Sequence, residues 1–269
     1  MIHPLRSITT GLLMASLLLF GNSAKANVGI SPLVIETNLN RGQAQGTINI
    51  SNTGDNDFRA RVYTVPFTYD REQGLQILES SPQDLTPYLQ FSPRELQVPG
   101  ANERRIRFIA RIPPSLPDGE YRTMVFTENL EATFQEEGDG DVTFRTRIIP
   151  RIGVAVYVRK GNISHQLTVP EARFNPETQA LQLLVENTGL ASVRIQGNWT
   201  LSQGGKTLYQ GIGSAITVIA EGSRYLDVDY TKDKPLTLTS GTYELSGHLG
   251  AGVNFNSDRT PFRVTFTVP

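Results

Sequence analysis

Hydrophobic residues recur at every second position along much of the chain. The longest such run is Val142 to Arg159, Val-Thr-Phe-Arg-Thr-Arg-Ile-Ile-Pro-Arg-Ile-Gly-Val-Ala-Val-Tyr-Val-Arg. In an extended chain Val142, Phe144, Ile148, Ile152, Val154, Val156 and Val158 fall on one side, and Thr143, Arg145, Arg147, Arg151 and Arg159 on the other. That is the alternation of a strand, not of a helix. It predicts one strand about three times the usual five or six residues. Pro150 has no N–H to give to a ladder, so it predicts a sheet edge or a bulge. An edge with an apolar row recruits other chains unless something covers it. Two readings follow: another part of the same chain covers the edge, or the strand is offered to a partner by β-augmentation.

The same alternation, read along the rest of the chain, occurs in duplicate. A strand ending in Asn52-Thr53-Gly54 is echoed by one ending in Asn187-Thr188-Gly189, and strands at Phe58 to Val65 and Ser192 to Leu201 follow them. Pro99-Gly100 leads into Arg104 to Ile109 as Glu221-Gly222 leads into Arg224 to Tyr230, and Gly119-Glu120-Tyr121 is matched by Gly241-Thr242-Tyr243. These landmarks keep their order at offsets of 135, 122 and 122 residues (Asn187 from Asn52, Gly222 from Gly100, Gly241 from Gly119). A unit of about seven strands occurring twice predicts an all-β chain of two immunoglobulin-like β-sandwich domains in tandem. The boundaries expected are 27–160 and 161–269, with a short joint at Lys160-Gly161-Asn162 and a first strand over Gly29 to Thr37. Gln73 to Leu89, with Ser80-Ser81-Pro82 and Thr86-Pro87, reads as a surface connection holding at most one helical turn. Gln135 to Asp141 reads as a charged turn.

Residues 1–26 stand apart. Arg6, the apolar run Gly11 to Phe20 and Ala24-Lys25-Ala26 have the layout of a cleavable secretory signal peptide, which points to the periplasm. Its apolar core is too short for a membrane span, and with no cysteine in the chain there is neither disulfide nor lipid anchor through sulfur. Without Arg6 and Lys25 the balance is 23 basic against 26 acidic residues, which argues against nucleic acid as a partner.

Little in the chain suggests catalysis. The mature part holds two histidines, His165 and His248, with no Asp or Glu at metal-ligand spacing beside either. The acidic turn with Glu136, Glu137, Asp139 and Asp141 lacks the twelve-residue calcium pattern. Asp227, Asp229 and Asp233 read as solvated carboxylates, and Trp199 as the central core aromatic of the second sandwich. No catalytic group, cofactor or metal is expected.

The series Ile30-Ser31-Pro32, the Asn-Thr-Gly turn, Val98-Pro99-Gly100 to Phe108, Leu116-Pro117-Asp118-Gly119-Glu120-Tyr121-Arg122 and the long last strand resembles the PapD-like periplasmic pilus chaperone family. The resemblance is densest from Pro99 to Arg122. It implies a non-enzymatic protein that caps pilus or surface-fibre subunits by lending them the last strand of its first domain, here through Val142, Phe144, Ile148 and Ile152. It also implies a basic pair for the subunit's C-terminal carboxylate, an Arg on the first strand and a Lys on the last. Val28 to Thr37 has no basic residue, and the place of the Lys falls near Ile152 to Val154. Arg151 is then the nearest candidate, with Arg147 beside it. Edge-to-edge pairing of two copies would hide the apolar row in the free protein. The rival reading is a structural or adhesive envelope protein on the same fold.

Overall fold

The computed structural model describes residues 27–139, 142–175, 180–228 and 238–268, with the side chains of 133, 135–139, 142–144 and 253 outside that description. Residues 1–26, where a signal peptide is expected, and Asp141, Asp229 and Asp233 lie outside the described residues. The first half is built from β1 (Val28–Ser31), β2 (Val34–Asn38), β3 (Gln43–Asn52), β4 (Phe58–Val65), β5 (Phe67–Asp70), β6 (Gly74–Ile77), β7 (Leu89–Ser92), β8 (Glu95–Val98), β9 (Asn102–Arg111), β10 (Gly119–Asn129), β11 (Thr133–Asp139), β12 (Val142–Ile148) and β13 (Arg151–Lys160). The second half holds β14 (Leu167–Asn175), β15 (Ala180–Asn187), β16 (Val193–Gln203), β17 (Lys206–Ile212), β18 (Ile216–Val218), β19 (Gly222–Asp227), β20 (Gly241–Ala251) and β21 (Ser257–Val268).

Strand order shows how these close. One sheet runs β1-β3-β9-β7 and faces a second, β2-β13-β10-β4-β8; further on, β14-β15-β19 faces β17-β16-β20-β21, with β18 also on β16. Each facing pair encloses its own apolar cluster. Ile48, Ile50, Ile106, Phe108, Val125, Val154, Val156 and Val158 fill the first; Leu183, Ile195, Trp199, Leu201, Leu245 and Phe266 fill the second. The two-sandwich, all-β expectation is met, and Trp199 is core, 3% exposed.

The duplicated sequence landmarks are duplicated devices. Asn52 is buried, accepts from the Gly54 amide (3.1 Å) and donates to the carbonyls of Asn56 (2.7 Å) and Val98 (3.0 Å). Asn187 repeats this, accepting from Gly189 (3.1 Å) and Gln166 (3.0 Å) and donating to Ala191 (2.8 Å) and Ile219 (3.1 Å). Each side chain replaces the ladder partners that a turn withdraws from backbone groups. Tyr121 donates its hydroxyl to the Pro117 carbonyl (2.9 Å) and Tyr243 to that of Thr239 (2.8 Å), a tyrosine corner in both sandwiches.

Two expected strands are broken in two, each at a proline. Gly29 to Thr37 divides at Pro32-Leu33, so that β1 runs antiparallel to β3 (Ile30 opposite Ile50) and β2 crosses to the other sheet, parallel to β13 (Val34 opposite Ala155). Val142 to Arg159 divides at Ile149-Pro150. β13 stays in the sheet beside β10, while β12 leaves it as a two-stranded ribbon with β11. Glu128 faces Arg151 and Thr133 faces Ile148, so three residues, Leu130, Glu131 and Ala132, stand opposite Ile149 alone. Pro150 thus marks a bulge, its carbonyl accepting from Asn129 (3.0 Å) where it has no amide to donate.

Candidate strand-pairing edge and the joint behind it

The edge of β13 is half covered. β2 pairs with Ala155 to Arg159, its ends fixed by Ala155 N–H to Leu33 (3.0 Å) and Leu39 N–H to Arg159 (2.8 Å). Backbone groups alternate sides along a strand. Those of Arg151 and Gly153 therefore point the same way as those of Ala155, past the end of β2. Among the described residues no strand pairs with Arg151–Val154 on that side, nor with the outer edge of β12. Exposed apolar side chains occur next to the gap in sequence, Leu33 (57%) before β2 and Ile148 and Ile149 before β13, and on the facing turn and ribbon strand, Leu130 and Phe134 (52%).

The expected partner-binding residues distribute as follows. Val142, Phe144 and Ile148 are on β12, opposite Asp139, Glu137 and Thr133; Ile148 is exposed, and the other two side chains are outside the description. Ile152 is half-buried at the start of β13, where Val154 turns into the core. Arg147 is exposed, opposite Phe134. Arg151 lies over the Phe126 ring (4.6 Å) with its Nη1 3.4 Å from the Tyr63 hydroxyl. Glu128 beside it is held by Arg61 (2.6 Å) and by the Tyr63 hydroxyl (2.7 Å), and these partners keep its carboxyl below the usual range. Where the resemblance places a lysine the chain has Gly153, and a Cβ there would meet Met124 Sδ at 2.7 Å and Phe126 Cε1 at 2.9 Å. A side chain at this position would require Met124 and Phe126 to shift.

The sequence reading gave β13 one apolar and one charged face, but both faces are buried along its second half. Ala155 and Tyr157 point away from the first core into a separate cluster with Met124, Phe126, Phe67 of β5 and Ile219 of the second sandwich. At the end of β13 the two sandwiches meet in a polar knot. Glu120 is buried and accepts from the Ser192 amide (2.9 Å), the Ser192 hydroxyl and Arg159 Nε (3.2 Å). Arg159 also reaches Glu36 (2.9 Å) and the Ser192 carbonyl (2.7 Å). Burial pushes the Glu120 carboxyl above the usual range, against the pull of Ser192 and Arg159. The basic residue of β13 that reaches the inter-sandwich groove is Arg159, about 26 Å along the strand from Arg151 at 3.3 Å per residue. The groove itself, about 360 Å³, is lined by Glu36, Arg159, His165, Ser192, Arg194 and Asp258. Sequence reasoning missed Glu120 and Arg159 because a charge in an alternating strand is ordinarily on its wet face; Arg159 adjoins the predicted linker, but Glu120 is brought to it only by the pairing of β10 with β13.

Among the described residues no three His, Cys, Asp or Glu converge as metal ligands, and no helix is long and apolar enough to cross a membrane. His248 bonds the Asn198 amide (3.1 Å), and Asp227 accepts from Gln182 (2.7 Å).

No family model matches the chain, and no curated protein does. Solved structures of chaperones are similar to it. One is a chaperone–tip adhesion subunit pre-assembly complex of archaic Csu pili from Acinetobacter baumannii, at 14% identity over 89% of this chain and 98% of that one, with a TM-score of 0.49. Another is the class 5 fimbriae chaperone CfaA, at 12% identity over 90% of this chain and 100% of that one, with a TM-score of 0.48. A third is the YadV chaperone, at 12% identity over 90% and 100%, with a TM-score of 0.45. The similarity is to pilus chaperones at low sequence identity and concerns the fold.

Proposed function

We propose that the mature chain is a non-enzymatic periplasmic chaperone of pilus or surface-fibre subunits, two sandwiches joined at Lys160-Gly161, which pairs its partner along the β12 edge and the start of β13. The observation that carries this reading is that β2 stops at Ala155, leaving Arg151–Val154 open in line with β12. A client strand laid there gains main-chain hydrogen bonds for register. Val142, Phe144, Ile148 and Ile152 supply the alternating side chains that enter the client, each worth about 1.5 to 3 kcal/mol when buried. Arg147 and Arg151 flank the contact. A client carboxylate would be met by Arg151, exposed at the mouth, because Gly153 leaves no cation deeper in. In the free protein two copies pair edge to edge through β12.

The test is the double change Phe144→Ser with Ile148→Ser. Size-exclusion chromatography of the purified chain with a fibre subunit that lacks one strand of its sandwich should show a one-to-one complex for the parent. The variant should melt with the parent, run as a monomer and lose about 100-fold or more in affinity. A variant that still forms the complex, or melts far below the parent, would overturn the reading. The envelope-protein alternative separates by fractionation, since it remains with the envelope rather than in the periplasmic fraction.

A further inference from the structure

The β5–β6 hairpin belongs to the first sandwich and reaches across to β14 and β19 of the second. Its tip is preset: Asp70 accepts from the amides of Glu72 and Gln73 (both 2.8 Å), which fixes the direction in which Glu72 leaves the turn. Glu72 then takes both outer nitrogens of Arg173 on β14, at 2.9 and 2.7 Å, and Arg173 is itself held by Gln182 (2.8 Å) and stacked 3.6 Å over the Tyr225 ring. One step back, Arg224 of β19 lies 4.5 Å over Tyr69. At the hairpin's root Phe67 is fully buried, edge-on to Tyr157 (5.8 Å), with Ile219 against the same cluster. Both ends of this bridge are anchored on rigid strands.

The two attachments between the sandwiches differ in kind. The knot at Glu120, Ser192 and Arg159 is buried and sits beside the linker. The Glu72–Arg173 pair is exposed, with about half of the Glu72 side chain and 39% of that of Arg173 accessible. An exposed pair is screened by salt and a buried one is not. Among the described residues only Ile219 from the second sandwich enters the apolar cluster between them, so little apolar area resists separation on the hairpin side. Arg122 is also buried at this joint; its Nε reaches the Phe67 carbonyl at 3.4 Å, and among the described residues its Nη1 has no hydrogen-bond partner. A buried donor without an acceptor favours any rearrangement that rehydrates it.

We propose that the β5–β6 hairpin is a salt-labile clasp, and that when Glu72 parts from Arg173 the second sandwich swings about the Glu120–Ser192 knot. Opening withdraws Ile219 from the cluster that Phe67, Met124 and Tyr157 form on the outer face of the β10–β13 pair, and lets water reach that cluster. The device is a property of the chain alone, independent of any client. With no native cysteine in the sequence, spin labels at Glu103→Cys and Thr207→Cys report the distance between the sandwiches directly. At about 50 mM salt the parent should give one narrow distance distribution, and at about 1 M salt, where screening reaches within about 3 Å, a broad one. Glu72→Arg, which faces Arg173 and Arg224 with a like charge, should be broad already at low salt and should lose amide-exchange protection in β5. Glu72→Arg combined with Arg173→Glu should restore the narrow distribution with an unchanged melting temperature. A single Glu72→Arg variant as narrow as the parent, or a reversed pair that stays broad, overturns the proposal.

Discussion

The last hairpin of each sandwich starts from the same place and ends differently. β20 and β21 pair from Gly241 opposite Val268 to Ala251 opposite Ser257, with one register shift between Leu249 and Ala251 and only the turn Gly252–Asn256, which contains the helical turn Val253–Phe255, between them. β10 and β13 begin alike, Gly119 opposite Lys160, but at Pro150 the ladder bulges and the ribbon β11–β12 is inserted before the chain returns. Both strands that open these hairpins carry the tyrosine corner, and both sandwiches carry the buried turn asparagine. The shared devices sit at the end of the sandwich where the chain must turn, and the difference sits at the opposite end of the hairpin. Stability is therefore secured away from the edge that the first sandwich leaves open. The second sandwich has no such opening on its equivalent hairpin and serves as the body against which the clasp closes.

Substitutions should separate the two regions in order of size. Trp199→Ala removes the central aromatic of the second core and should destabilise by about 3 to 5 kcal/mol, lowering the calorimetric transition of that sandwich while leaving the ribbon's exchange pattern intact. Asn187→Ala strands several carbonyls and two amides in the interior and should lower stability by about 2 to 3 kcal/mol in denaturant titration; Asn52→Ala, with fewer partners, should fall nearer 1 to 2. Tyr121→Phe and Tyr243→Phe each lose one hydrogen bond to a carbonyl and should each reduce stability by about 1 kcal/mol. Unequal losses from that pair would break the equivalence of the corners. Ile148→Ser, on the exposed ribbon, should move the melting midpoint by no more than about 0.5 kcal/mol allows, while the same change at core Ile48 should unfold the first sandwich.

Much of this was readable from residue pattern because it depends on period two and on turns. β4 spans Phe58–Val65 as expected, Asn-Thr-Gly marks turns and Gly-x-Tyr opens β10 and β20; Gln73 to Leu89 holds the helical turn Thr86–Tyr88 but is more than a surface connection, since it contains β6 and buries Leu85 in the first core. Val154, Val156 and Val158 declared their core face by alternation. Ala155 and Tyr157 did not declare theirs, because alternation assumes that the second face is wet. That face is covered by Phe67 and Ile219, the latter 62 residues further along the chain than Tyr157, and no local pattern encodes a contact between sandwiches. The same limit hid Glu120 and Arg159. Charged residues reveal a buried role only when the group that desolvates them is known, and here it is Ser192.

The crossing of the first strand from one sheet to the other at Pro32 also sets an order of events. β1 finds its partner within about twenty residues, Ile30 against Ile50, whereas β2 must wait for β13, Val34 against Ala155, with 121 residues between them. Closing so long a loop is slow compared with the local hairpins that form meanwhile. When the chain emerges N-terminus first, the second sheet stays short of its last two strands until Lys160 is available. The segment Val34–Asn38 then docks last, so the sandwich is finished from its beginning by its end.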